Sequence, residues 1–104
     1  MQRGDIWWAD LPSPAGRRPV VILSRDKAIQ VREFVTIAEI TTKIRSIPVE
    51  IPLHRRDGMP KDCVVNVDNL YTIPKHFLKE KIAQLSEEKT KDLTKALKFA
   101  LAID

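Results

Sequence analysis

Apolar residues recur along most of the chain in short runs, several with a period of two, and turn to a helical period only near the C-terminal end. Residues 4–11 (GDIWWADL) alternate, with Ile6, Trp8 and Asp10 on one side and Trp7, Ala9 and Leu11 on the other. The aromatic content of this stretch predicts a strand. The cluster 12–16 (PSPAG) is rich in chain breakers and predicts a loop. Residues 19–23 (PVVIL) form a continuous apolar run that opens on proline, as a short buried strand can. Residues 24–32 are polar and read as a loop or irregular turn. Residues 34–40 (FVTIAEI) predict another strand. In 48–53 (PVEIPL), Val49, Ile51 and Leu53 face one way, and Pro52 places the strand at an edge or a bulge. Asp57-Gly58 predicts a turn, 63–67 (CVVNV) a strand, and 69–73 (NLYTI) its continuation after a kink. Pro74-Lys75 breaks it. Residues 76–85 hold a short segment ending in Ile82 and Leu85.

Ser86 reads as a helix N-cap, with Glu87 and Glu88 in the first turn. Leu93, Leu97, Ala100 and Leu101 then recur at helical spacing and predict the buried face of a helix of about four turns. Five or six short strands followed by a C-terminal helix predict a small β-barrel with helices packed on it. With no internal repeat and no linker, residues 1–104 form a single domain.

Length and composition agree with that reading. A chain of 104 residues is one domain in size, and 43% hydrophobic residues suffice for one core. The single cysteine, Cys63, excludes an intramolecular disulfide framework and a cysteine-based zinc cluster. No apolar run reaches the length of a membrane span. The N-terminal stretch lacks the apolar core of a secretion signal, so the expected location is the cytosol. The net charge is 18 − 14 = +4, and its distribution says more than its sum. All eight arginines lie within the first 56 residues, while eight of the ten lysines lie from Lys61 onward. Guanidinium forks match phosphate geometry, so the N-terminal half is where an anionic ligand such as nucleic acid is expected.

The usual catalytic arrangements are missing. Cys63 stands in an apolar strand pattern and reads as a buried, inert thiol. His54 and His76 read as surface histidines, too far apart for a metal motif. No glycine-rich phosphate loop or nucleophile elbow is present, so no cofactor is expected. What remains is a set of polar residues at strand ends. Arg18 precedes Pro19, which holds its backbone extended. Thr41 and Thr42 end the 34–40 strand, and Asp68 and Asn69 sit where the 63–67 strand breaks. These positions either converge on one barrel rim or are ordinary loop residues.

In this order, RGDIWWADL (3–11), RRPVVILS (17–24), AEIT (38–41), PVEIPL (48–53), VVNVDNLYTIPK (64–75) and LSEEKTKDLTKALKFAL (85–101) resemble the MazF/PemK family of toxin endoribonucleases. The resemblance spans nearly the whole chain. It implies an SH3-like (CcdB/PemK-type) barrel with C-terminal helices, mainly β in class. It also implies a metal-independent nuclease that cuts single-stranded RNA at a short sequence, a homodimer, and a cognate MazE-like antitoxin. No membrane partner is implied. The arginine of the R-P-V motif and the threonine of A-x-I-T are the family's catalytic pair, here Arg18 and Thr41. Asp68 and Asn69 map to its base-recognition pocket, and Arg17 and Ser24 to RNA contacts.

Three departures stand out. The 12–17 loop is shorter than in many members, Arg25 replaces a common asparagine, and Glu39 replaces a common alanine. A carboxylate at position 39 would repel phosphate, so it is expected to point away or to bind an arginine. Two competing readings share the barrel: a non-enzymatic toxin acting on DNA gyrase, and an RNA-binding barrel that does not cleave. A gyrase binder needs neither Arg18 nor Thr41.

Overall fold

The computed structural model describes residues 1–104. Six strands, β1 (Asp5–Asp10), β2 (Arg17–Ile22), β3 (Phe34–Thr41), β4 (Glu50–Leu53), β5 (Cys63–Pro74) and β6 (Leu78–Gln84), form one antiparallel sheet in the order β4-β5-β3-β2-β1-β6. The sheet curls into a half-barrel. Its two faces explain the sequence pattern. Ile6, Val21, Ala38, Ile40, Ile51 and Val65 point into one buried cluster, together with Leu93 and Ala96 of the C-terminal helix. Ala9, Val20, Ile22, Val35 and Ile37 point into a second cluster on the opposite face. Strands buried on both faces lose the polar half of the alternation, which is why 19–23 is apolar throughout.

Both sheet edges are guarded. Pro52 lies on the edge strand β4, where a missing donor does no harm. The opposite edge, β6, carries Lys79, Glu80 and Lys81, charges that discourage strand addition. The β4 side meets the β6 side through a turn at 55–58. Gly58 there has φ of 94° and approaches Ala83 of β6 so closely that a side chain would collide with it.

Two expectations need correction. Residues 24–32 contain a helix, α1 (Asp26–Val31), in place of a loop. It is too short to display a period. It forms because Ile29 enters the second cluster, with Ala28 buried beside it, and because the Asp26 carboxylate accepts from the Arg3 N–H at 2.7 Å. The C-terminal helix, α2 (Glu87–Ala100), begins as expected, with Ser86 Oγ accepting from the Lys89 N–H at 3.1 Å. Its buried face is Lys89, Leu93 and Ala96, with Leu97 and Ala100 partly covered. Leu101 is exposed, because the helix has ended and left the sheet. Lys89 tolerates burial because its Nζ donates to the Pro52 carbonyl at 2.7 Å.

The kink near Asp68 is a bulge in the β3–β5 ladder. Ala38 pairs with Leu70 and Glu39 with Asn66, so residues 67–69 have no partner on β3. Asn66 Oδ1 accepts from the Asp68 N–H at 2.9 Å and holds the bulge.

Candidate active site

The ladder between β2 and β3 pairs Val20 with Glu39, Val21 with Ala38 and Ile22 with Ile37. Continued by two residues, it sets Arg18 opposite Thr41, where β2 begins and β3 ends. Both residues line one open pocket of about 270 Å³. Buried Ile40, Met59 and Cys63 give it an apolar floor. Trp8, Pro19 and Thr42 also line it, and Arg17, Arg18 and Lys61 contribute three cations with no acidic residue in the lining. The pocket therefore combines cations with an aromatic wall, a combination suited to a nucleotide.

The Arg18 side chain is 37% exposed, at the pocket surface and not sealed in the core. Its Nε donates to the Ala15 carbonyl at 3.0 Å. The same Nε lies 3.1 Å from Oε1 of Glu39, whose side chain is only 10% exposed. The two terminal nitrogens take no protein partner and remain for a ligand. Glu39 thus binds an arginine, one of the two arrangements its position demanded. Thr41 Oγ1 accepts from the Lys43 N–H at 3.2 Å, which leaves its own proton free to donate.

Arg17 lies over Trp8, with Cζ 5.1 Å from the ring centroid. It also stands 3.7 Å from Asp10, an ion pair about half exposed on both sides. Such a pair contributes at most about 1 kcal/mol, so Arg17 is free to turn toward an anion.

The other expected site residues lie outside this pocket. Ser24 lines a separate recess with Arg25, Arg32 and Thr36, and its Oγ already accepts from the Thr36 N–H at 2.8 Å. Asp68 and Asn69 are exposed on the bulge of β5 and do not line the pocket. Trp8 lines it, as do Lys61 and Met59, two residues that the sequence pattern does not mark as site residues. Lys61 carries no distinguishing signal among neighbouring loop charges.

Cys63 is buried, and burial pushes its thiol above the ordinary value, with the nearby charges of Asp62 and Asp57 adding to the shift. A thiol held protonated is a poor nucleophile. His54 Nδ1 lies 2.9 Å from Asp62 Oδ1, and His76 meets Phe77 edge to face. Neither lines the pocket. The fold brings no three His, Cys, Asp or Glu side chains together in a group able to hold a metal. No helix is long and apolar enough to cross a membrane.

Comparison with known proteins decides the family. A family model described as PemK-like, MazF-like toxin of type II toxin-antitoxin system matches residues 2–101. The chain belongs to the PemK/MazF toxin family. It is 32% identical over 99 residues to a probable endoribonuclease MazF2 of Mycobacterium tuberculosis, covering 94% of this chain and 95% of that protein. It is 34% identical over 112 residues to an endoribonuclease MazF of Staphylococcus saprophyticus, covering 99% and 92%. A solved mycobacterial endoribonuclease in complex with its cognate antitoxin matches at a TM-score of 0.90 and 25% identity, covering 100% of this chain and 97% of that one. This PemK/MazF chain is a toxin endoribonuclease, and its curled sheet with a C-terminal helix is the architecture of its MazF neighbours.

Proposed function

We propose that this endoribonuclease cuts single-stranded RNA at a short recognition sequence without a metal, and that Arg18 and Thr41 are its catalytic pair. The observation that carries the reading is their common pocket, in which the Arg18 terminal nitrogens and the Thr41 proton are both uncommitted. The substrate brings its own nucleophile. The 2′-oxygen attacks the adjacent phosphorus and loses its proton, the P–O5′ bond breaks, and O5′ takes up a proton. The products are a 2′,3′-cyclic phosphate and a 5′-hydroxyl. Charge builds on the non-bridging oxygens as the phosphorane forms. The Arg18 fork is suited to receive it, and the Thr41 hydroxyl adds one donor.

Arg17 and Lys61 hold the RNA backbone, with Trp8 available for stacking. Asp68 and Asn69, exposed on the bulge, read base edges beyond the pocket. Ser24, in the recess that also holds Arg25 and Arg32, touches the backbone of a flanking nucleotide. The enzyme works as a homodimer, for which light scattering at micromolar concentration should return twice the mass of the chain. Its inhibitor is a MazE-like antitoxin whose acidic and aromatic residues enter the same cationic pocket.

Cleavage of an unstructured RNA in EDTA is expected to proceed. Arg18→Ala and Thr41→Ala should each slow it by ~10²–10³. Cutting at the original rate by Arg18→Ala, or cutting that stops on chelation, would remove the reading.

A further inference from the structure

Glu39 is a buried acid beside the scissile site of an enzyme that binds a polyanion. On electrostatic grounds alone it is misplaced, because it weakens the field that attracts RNA. Its geometry shows what it offers in return. The carboxylate lies 3.1 Å from Nε of Arg18 as an ion-pair contact and takes no hydrogen bond from the terminal fork. The Ala15 carbonyl holds the same edge at 3.0 Å. One hydrogen bond from the 12–16 loop and one charge contact from β3 therefore hold the guanidinium from two parts of the fold. A carboxylate placed to block Arg18 would span its two terminal nitrogens in the bidentate manner, and it does not.

We propose that Glu39 is a positioning residue: it locks the Arg18 side chain in the orientation that presents its terminal nitrogens to the phosphate as charge develops. The proposal rests on Arg18 acting in catalysis as described above. An unanchored arginine has many rotamers and can bind RNA in most of them, but only one aligns with the developing oxyanion. Loss of the anchor therefore acts on kcat and not on ground-state binding. Removing a negative charge near the backbone binds RNA no less tightly, so KM holds or falls. A merely structural residue would not produce this split.

The test is a double-mutant cycle in full-length protein with a short fluorogenic RNA. Glu39→Gln and Glu39→Ala are expected to lower kcat by on the order of 10- to 10²-fold, the scale of an ångström-sized misplacement, with KM unchanged or lower. In the Arg18→Ala background the same substitutions should change the residual rate no further, because the group they position is gone. Stability should respond in the opposite sense. Arg18→Ala strands a buried carboxylate and lowers Tm, and Arg18→Ala with Glu39→Ala restores Tm without restoring cleavage. The inference is overturned if Glu39→Gln cuts at the original kcat, if its loss lies in KM, or if the two losses multiply. Should Arg18→Ala itself remain fully active, the catalytic pair fails instead, and the two failures are told apart by that single variant.

Discussion

Replacing Gly58 by alanine tests how the half-barrel is closed. Gly58 has φ of 94°, a region that costs an L side chain about 1–2 kcal/mol. Its added Cβ would stand 2.7 Å from the Ala83 Cβ on β6, well inside contact distance. Relieving that overlap means shifting β6 or the turn, at about 1–3 kcal/mol. Against these, the stiffer unfolded chain returns about 0.4–1 kcal/mol. The net loss is about 1–5 kcal/mol. For a domain of this length that lowers Tm by roughly 5–20 °C. Calorimetry and urea unfolding should both report it. Ala83→Gly in the same background removes the overlap but not the strained φ, so it should restore only part of the loss. The turn also leads into Met59, Pro60 and Lys61, all of which line the pocket. Gly58→Ala should therefore raise KM for RNA below its own melting range. A Gly58→Ala protein that melts within about 2 °C of the original would show that the turn does not bear on β6 as described.

Two further outcomes follow from buried polar groups. The Glu50 carboxylate accepts from the Arg45 N–H at 3.0 Å and the Ser46 N–H at 2.8 Å, and so ties down the segment that follows Thr41. Glu50→Ala should cost about 1–3 kcal/mol and speed amide exchange at Arg45 and Ser46; unchanged exchange at those two amides would refute the role. Cys63, held above its ordinary pKa by burial, favours the protonated form of the native state. Its stabilising contribution is complete below the ordinary thiol pKa and declines as pH rises from there through the raised value. Alkaline unfolding should accordingly be less steep in Cys63→Ala. Iodoacetamide at neutral pH should label the thiol only in denaturant; rapid labelling of the native protein would contradict its burial.

Much of the fold is visible in the residue order because strand signals are local. The alternation in 4–11, the proline opening 19–23 and the Ser86 cap each act within a few residues, and each marks an element of the structure. The helix α1 escaped because six residues hold too few turns to show a period, and its formation depends on a distant cluster that receives Ile29. Leu101 was misplaced for a related reason: the period continues past the point where the helix leaves the sheet. At the site, Arg18 and Thr41 were legible from a resemblance to a family, while the ladder that brings them together is a matter of register between strands. No local pattern encodes register, so neither the Arg18–Glu39 contact nor the arrival of Lys61 in the same pocket could be read from spacing. Asp68 and Asn69 were visible as an interruption in an apolar run, and that interruption is the bulge.

The stacking of Arg17 on Trp8 has a practical consequence. A guanidinium pressed on an indole alters its emission, and an incoming phosphate that draws the arginine away would alter it again. Trp7 and Trp8 are the chain's two tryptophans, and Trp7 packs against the opposite cluster. With Trp7 changed to phenylalanine, the molecule would carry one tryptophan, excited selectively near the red edge of protein absorption, at its own doorway. Occupancy by an oligonucleotide or an inhibitor peptide could then be followed in real time without any label.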